Sequence, residues 1–455
     1  MFIGFDYGTS NCAISVMDQG DAKLLPVHGD SCFIPSTLYA LDRTLIVDAV
    51  LQNMPQDTAL STSFSEQRSQ ALNVARNTKK HLGIRDDEQT WFMGNEAIEN
   101  YIDYPGEGWF VKSPKSFLGA SGLLQGQVAF FEDIVTLMMQ HTKRSAEAHA
   151  GATFTQAVIG RPINFQGVGG EQSNQQAIEI LTRAAKNAGY REVEFFYEPL
   201  AAGIDFETGL QEDKTVLVLD VGGGTSDCSI VRMGPSYRDC DDRSKDFIAH
   251  SGVRVGGNDF DIDLNYKAFM PLLGRDSFLK NGLPVPSSYY ANAAKINDIV
   301  AQGDFGSAKC AKEIVDLIRN AKSPELIRRL QTLQKNNQNY QLSRSAEQCK
   351  IALSEQAIHA VDLGYLEPGL TREVSASYFE QAVERPLRAV TDLLEEAIKQ
   401  AGCKIDLVYV TGGSAKSPVL RRVIEEKFKG VPIVDGDYLG SVAAGLAKWA
   451  DKIFR

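Results

Sequence analysis

The sequence predicts an α/β protein of two related domains. Three observations carry this. First, the apolar run Val216-Leu217-Val218-Leu219 ends in Asp220, is followed by Gly222-Gly223-Gly224 and Thr225-Ser226-Asp227, and leads into a second apolar strand. Second, the N-terminus, Phe5-Asp6-Tyr7-Gly8-Thr9-Ser10-Asn11-Cys12-Ala13-Ile14, carries the same hairpin, and repetition of a whole supersecondary unit points to two related domains. Third, 455 residues are too many for one hydrophobic core.

Consecutive glycines let a turn take positive φ and bring bare N–H groups close to a ligand. Successive N–H groups in such a turn form a concave anion site. Asp6, Asp220 and Asp227 would repel a lone phosphate, and they make sense with a divalent cation between. The plain alternative is a Gly-rich hairpin without a ligand.

Composition narrows the function. The net charge of −11, with no basic stripe, weighs against a nucleic-acid partner. No apolar run spans a bilayer. The first residues carry no basic leader, so a signal peptide is not expected. The 7 cysteines contain no C-x-x-C pair, which argues against zinc and a disulfide framework. Cys12 and Cys228 occupy equivalent hairpin positions and read as buried small residues. A reducing, cytoplasmic setting is expected.

Along the chain, residues 1–40 hold the first hairpin and a further short strand. The pattern weakens over 41–150, where 67–82 and 132–148 read as helices and 105–108 as loop, forming an insertion with its own small core. Ala157-Val158-Ile159-Gly160 is a strand, 171–188 a helix stopped by Gly189, and 193–197 a strand. Glu198-Pro199-Leu200 opens a helix, with proline suited to its first turn. After the central hairpin, residues 250–260 read as strand, Gly256-Gly257 turn and helix start. Residues 261–377 look like a second, irregular insertion containing helices at 325–338 and 345–359. Residues 380–401 form a long helix expected to kink at Pro386. Asp406 to Thr411 is a strand, followed by Gly412-Gly413-Ser414 at a helix N-terminus, another anion-friendly arrangement. Residues 442–453 close the chain as a helix.

A P-loop needs Gly-Lys, which is absent, and the Rossmann G-x-G-x-x-G and the G-x-S-x-G elbow are absent too. The Gly-rich turns are therefore the main chemical signal. Glu347, Lys350 and Ser354 share one helix face by spacing, either to hydrogen-bond a ribose or as an ordinary solvated face with an ion pair. Glu198, just after a strand, either positions a water near a γ-phosphate or is a first-turn acid stabilised by the helix dipole.

With these motifs in order, namely the duplicated hairpins, Tyr197-Glu198-Pro199-Leu200-Ala201-Ala202-Gly203, Val255-Gly256-Gly257-Asn258-Asp259-Phe260-Asp261 and Val410-Thr411-Gly412-Gly413-Ser414, the chain resembles the nucleotide-binding domain of the DnaK-type (seventy-kilodalton) heat-shock chaperones, within the actin-like ATPases. The resemblance runs from Ile3 to about Gly445 and matches poorly in the two insertions. It implies two lobes, each with a ribonuclease-H-like mixed sheet: 1–40 and 154–210 as the lobe I core with 41–153 inserted, and 211–258 and 375–455 as the lobe II core with 259–374 inserted. It implies Mg-ATP or Mg-ADP in the cleft. Asp6 and Asp220 would hold Mg²⁺ through waters. Gly8, Thr9, Ser10 and Asn11, with Gly222, Gly223, Gly224 and Thr225, would wrap the β- and γ-phosphates, and Gly256 would belong to the same site. Glu198 would order the attacking water, and Thr225 and Asp227 would line the site. Glu347, Lys350 and Ser354 would bind the nucleoside. Gly412, Gly413, Ser414 and Lys416 would close over the α-phosphate, ribose and base.

Departures from the family pattern matter. The catalytic lysine is matched to Lys115, with Lys112 as competitor. The two base-covering arginines are Ile351 and Lys416 here, which removes planar stacking groups. The chain ends just after the closing helix, so the resemblance does not extend to a peptide-binding domain, and it is closest to short bacterial proteins with the ATPase domain alone. The expectation is a chaperone-like Mg-ATP-binding protein, a slow ATPase whose lobe angle a protein partner senses. Alternatives are a nucleotide-binding scaffold without turnover, a small-molecule kinase and a filament former.

Overall fold

A computed structural model describes residues 1–56, 58–104, 107–165, 170–238, 240 and 245–455. Its framework is two mixed sheets with the same strand order. In lobe I the order is Asp21–Leu25, Asn11–Asp18, Phe2–Tyr7, Gln156–Arg161, Glu192–Tyr197, with Ile34–Pro35 added to the second of these. In lobe II it is Phe247–Val253, Ser226–Met233, Lys214–Val221, Leu407–Thr411, Ile433–Asp435. In both, the first three strands are antiparallel and the last two join in parallel. This is the mixed sheet of the ribonuclease-H type, twice. Buried on both faces, the central strands are nearly continuous apolar runs, as parallel pairing under helices requires.

The two hairpins differ in register. Tyr7 pairs with Cys12 and Leu219 with Cys228, and both cysteines are fully buried. The second hairpin has seven residues between its Asp and Cys where the first has five, so Asp220 lies opposite Asp227 while Asp6 lies opposite Ala13.

The lobes are joined by two helices. Glu198–Glu207 follows a lobe I strand and packs against the lobe II sheet, and Ser441–Phe454 follows a lobe II strand and packs against the lobe I sheet. Val158, Leu200, Val216, Val218, Leu407 and Leu446 form one apolar cluster between them. At their crossing a Cβ on Gly445 would lie 1.7 Å from the Ala201 carbonyl oxygen, so only glycine allows the approach.

Several elements depart from the sequence expectations. The helix expected over 67–82 is present as Ser69–Leu82, and a further helix, Ala59–Gln67, precedes it; Arg68 between them turns its guanidinium onto Asp133 at 2.9 Å and Glu132 at 3.0 Å. The helix at 132–148 extends over Gln125–Ala150, and its buried face joins the lobe I core rather than a separate one. The region 261–377 is not irregular: it holds the helices Ala308–Asn320, Pro324–Lys335 and Asn339–Ala352 on the lobe II core. The helix expected to reach His359 stops at Ala352, because Ile358–Asp362 pairs instead with Thr371–Ser375. The expected kink at Pro386 is absent. Ala376–Ala382 and Glu384–Ala401 are separate helices meeting at Val383, and Pro386 sits in the first turn of the second, where its missing N–H costs no helical bond. Of the loop 105–108, residues 105 and 106 lie outside the described residues.

Candidate functional site

The two hairpin turns come from opposite lobes and touch. A Cβ on Gly223 would lie 1.9 Å from Ser10 Oγ, so any side chain there would have to displace the Ser10 hydroxyl. The Gly222–Thr225 turn is closed by Gly222 N donating to Thr225 O at 3.0 Å. It is held from below by Gly257 N donating to Gly222 O at 2.9 Å and Asn258 N to Gly223 O at 2.7 Å. The opposite turn is held by Ser36 Oγ donating to Gly8 O at 2.7 Å.

Between the turns lies a cavity of about 260 Å³. Asp6, Gly8, Thr9, Ser10, Asn11, Glu198, Asp220, Gly222, Gly223, Thr225, Glu347, Lys350, Gly412, Gly413 and Ser414 all line it, drawn from both lobes and from separate segments of the chain. Gly412 has φ 87°, and a Cβ there would lie 2.4 Å from Asp220 Oδ1, so the Gly-Gly-Ser turn packs directly on the metal-site candidate. Ser414 Oγ donates to Gly222 O at 3.0 Å, fixing the third turn to the second.

Other predicted residues stand behind the wall. Asp227 is 1% exposed and accepts from Ile163 N at 2.9 Å. Gly256 is buried against the backbone of Gly222 and Gly223 and acts as a prop. Gly224 packs on Thr9. Ser354 lies past the helix end, so helical spacing does not carry it to the cavity, and its Oγ donates to Lys350 O at 3.3 Å. Lys416 sits over the ring of Tyr438 at 5.3 Å, and it is Tyr438 that lines the cavity. Phe33, Asn258, Leu439 and Val442 also line it and were not expected. They come from loops or element ends that carry no phosphate-type motif. Asn258 alone had a sequence signal, as the Asn of Val-Gly-Gly-Asn-Asp.

The choice between the two lysines is spatially clear. Lys115 is 4% exposed, with Nζ 2.5 Å from Glu198 Oε1 and 3.5 Å from Gly160 O. Lys112 points the other way, to Glu347 Oε2 at 2.7 Å. Ser113 between them has φ 57°, and the strand Trp109–Lys112 gives way there to the turn Pro114–Phe117 that directs Lys115 inward.

Electrostatically the site is an acid cluster with an embedded ammonium. Burial pushes the Asp6 carboxyl well above its ordinary range, Glu198 and Asp220 push it further, and Lys115 pulls it down. Burial, then Glu198 and Asp227, raise Asp220 likewise. Asp227 is pushed up to about 7, first by burial and then by Glu198. Like charges crowded in a low-dielectric site favour a bound cation. Among the described residues no three acidic, His or Cys side chains converge as a metal cage. Asp6 and Asp220, near strand ends and lining this cavity, suit Mg²⁺, which keeps several waters and takes only one or two carboxylates.

A family model described as MreB/Mbl protein matches residues 110–267. That span runs from the Lys112 strand through Lys115, Glu198 and the central hairpin to the Gly256-Gly257 turn. The chain has the actin-like ATPase fold, α/β with two lobes and a ribonuclease-H-like mixed sheet in each. The matched span contains the second hairpin and not the first, and the cavity lies where the turns of the two hairpins meet.

The end of the cavity formed by Glu347 and Lys350, expected to hold a nucleoside, differs from the sequence expectation in its contacts. Lys350 Nζ is 2.8 Å from Asp261 Oδ1 and donates to Gly257 O at 3.2 Å, while Glu347 is engaged by Lys112. Burial, opposed by Lys350, raises Asp261 to about 6. Ile351 and the Tyr438 ring flank this end. Among the described residues no helix is long and apolar enough to cross a membrane.

Proposed function

We propose that this protein binds Mg-nucleotide in the interlobe cavity, hydrolyses ATP slowly, and uses nucleotide state to set the angle between its lobes. The observation that carries the reading is the convergence of both hairpin turns, Asp6, Asp220 and Glu198 on one cavity, with the buried Lys115 ammonium paired to Glu198. Polyphosphate would lie along the turn N–H groups. Magnesium, held through waters by Asp6 and Asp220, would neutralise phosphate charge. Glu198 would orient the attacking water, Lys115 would hold Glu198 and offset the charge of the acids, and Thr225 would face the terminal phosphate. Phosphoryl transfer asks mainly for positioning and charge stabilisation, which these groups supply. The base would rest on Ile351 and Tyr438, an apolar and aromatic surface that tolerates several bases, in place of a pair of arginines.

The order of motifs supports a chaperone-type switch whose lobe angle a protein partner reads. Titration calorimetry of ATP and ADP with Mg²⁺, with phosphate release on the same sample, tests it. Tight binding with slow release, lost in Lys115→Ala and Glu198→Ala, supports the switch. Binding without release supports a scaffold, and no binding refutes a nucleotide site. Phosphate transfer to a sugar in a screen would instead make it a small-molecule kinase.

A second reading, a subunit of a nucleotide-dependent filament, is favoured by the match of residues 110–267 to the MreB/Mbl family model. Sedimentation that rises with ATP and protein concentration would support it, and a monomer at all concentrations would refute it.

A further inference from the structure

A second cavity, of about 460 Å³, lies between the two insertions and shares no lining residue with the first. Its walls are aromatic and come from both lobes. Tyr101 and Phe110 of lobe I stack at 4.6 Å, and Tyr340 of lobe II meets Phe110 edge-on at 5.1 Å. On the next stretch of wall Trp109 meets Phe130 at 5.1 Å. Tyr101 OH donates to the carbonyl of Asn337, a residue held at φ 52°. An aromatic-walled cavity of this size at a domain interface is the usual form of a small-molecule site. Its lining includes one cation, Arg43, and one carboxylate, Glu107, so no net charge selects an ion. A lining this rich in aromatic rings suits a planar aromatic guest, which can join the ring contacts already made in the wall.

We propose that this cavity is a second ligand site, for a neutral planar aromatic compound, and that its occupancy is coupled to lobe closure. The coupling follows from the walls: opening the lobes withdraws Tyr340 from Tyr101 and Phe110, so a ligand that touches all three binds the closed arrangement better. Linkage then requires the ligand and the nucleotide to alter each other's affinity by one common factor.

The probe is N-phenyl-1-naphthylamine, neutral and fluorescent in apolar surroundings, titrated into the full chain with and without Mg-ADP. Saturable one-to-one binding is expected, with energy transfer from Trp109 in a Trp91→Phe/Trp449→Phe background. Gly303 lines the cavity and a Cβ there has no atom within 4 Å, so Gly303→Trp fills the space without a backbone clash and should weaken the probe about tenfold or more. Tyr340→Ala, which removes one wall, should weaken it too while leaving circular dichroism and thermal unfolding near wild type. Mg-ADP should tighten the probe by about fivefold or more, and the probe should tighten Mg-ADP by the same factor. Non-saturable binding, or saturable binding that neither variant weakens, would overturn the site. Probe affinity identical with and without Mg-ADP, in protein shown by calorimetry to bind Mg-ADP, would overturn the coupling. Because the probe binds without nucleotide, failure of the nucleotide reading leaves the site test intact.

Discussion

Lys112 Nζ lies 2.7 Å from Glu347 Oε2, tying the two insertions together beside the interlobe cavity that Glu347 lines. Two regular elements make the contact. Phe110 and Lys112 alternate onto one side of their strand, and Tyr340 and Glu347, seven residues apart, share a helix face. The same two elements thus supply an aromatic contact and an ion pair to lobe closure.

Breaking that pair should speed nucleotide release. A partly exposed pair of this kind is worth roughly 1 kcal/mol, so Lys112→Met should raise the open population, and the release rate of a fluorescent ADP, by about fivefold. The swap Lys112→Glu/Glu347→Lys should return the rate towards wild type. Equal rates in all three proteins would show that the pair does not hold the lobes.

Lys115 should matter to stability as well as turnover. It lies within the acid cluster and lowers the carboxyl groups of Asp6, Asp220 and Asp227. Lys115→Met leaves buried acids uncompensated and should cost about 3 kcal/mol in the nucleotide-free protein. The sign of the pH effect is set by Asp227, whose folded value near 7 lies above its unfolded one. Such a group favours the folded state while protonated and loses that contribution as pH rises through 7. The variant's deficit in urea unfolding should therefore be larger at pH 8 than at pH 6, and saturating Mg-ADP should shrink it. A deficit independent of pH would mean that the lysine acts by packing.

The hairpins, the helix after Glu198 and the Gly-Gly-Ser turn were legible because each pairs a local pattern with a local need: apolar strand, acid, glycine turn. Tyr438 and Phe33 were not, since each enters the cavity from a loop positioned by its lobe and no spacing rule marks it. Ser354 was misplaced with Lys350 because the helix was read through to His359, whereas the pairing of Ile358–Asp362 with Thr371–Ser375 is a non-local choice. The two lysines, three residues apart, differ through the backbone at Ser113, whose positive φ is unusual for serine and invisible in composition. That residue is pinned from lobe II by Asn258 Nδ2 donating to its Oγ at 3.2 Å, so the sequence carried the partner but not the contact.

Acid should weaken the lobe I core through His141. Burial, with Arg144 and His28 adding repulsion, lowers its imidazole to about 4, and its ring packs edge-on to Trp91 at 5.6 Å. A histidine depressed in the folded state keeps its stabilising contribution above the unfolded value near 6.5 and loses it as pH falls towards 4. At pH 5 the loss amounts to about 2 kcal/mol. His141→Phe keeps an aromatic edge on Trp91 and removes the proton site. The stability difference between variant and wild type should shift by about that amount in the variant's favour between pH 7.5 and pH 5, read by urea unfolding. A parallel pair of pH profiles would contradict the assignment.

Gly445 is the most constrained small residue between the lobes. Its missing Cβ leaves the backbone of Ser441–Phe454 in contact with Ala201 on the other joining helix, and a methyl there would sit 1.7 Å from a carbonyl oxygen. A backbone atom cannot give way like a side chain, so the two helices must separate. Gly445→Ala gains helix propensity of about 1 kcal/mol, which opposes the effect but does not offset an overpacked crossing of about 3 kcal/mol. The net expectation is a loss near 2 kcal/mol in urea unfolding. If nucleotide sets the lobe angle as proposed, the joining helices would transmit it, and small-angle scattering of the variant should also show a smaller change on adding Mg-ATP than the wild type shows. A variant as stable as wild type, with an unchanged scattering response, would show that the crossing tolerates separation and that the hinge lies elsewhere.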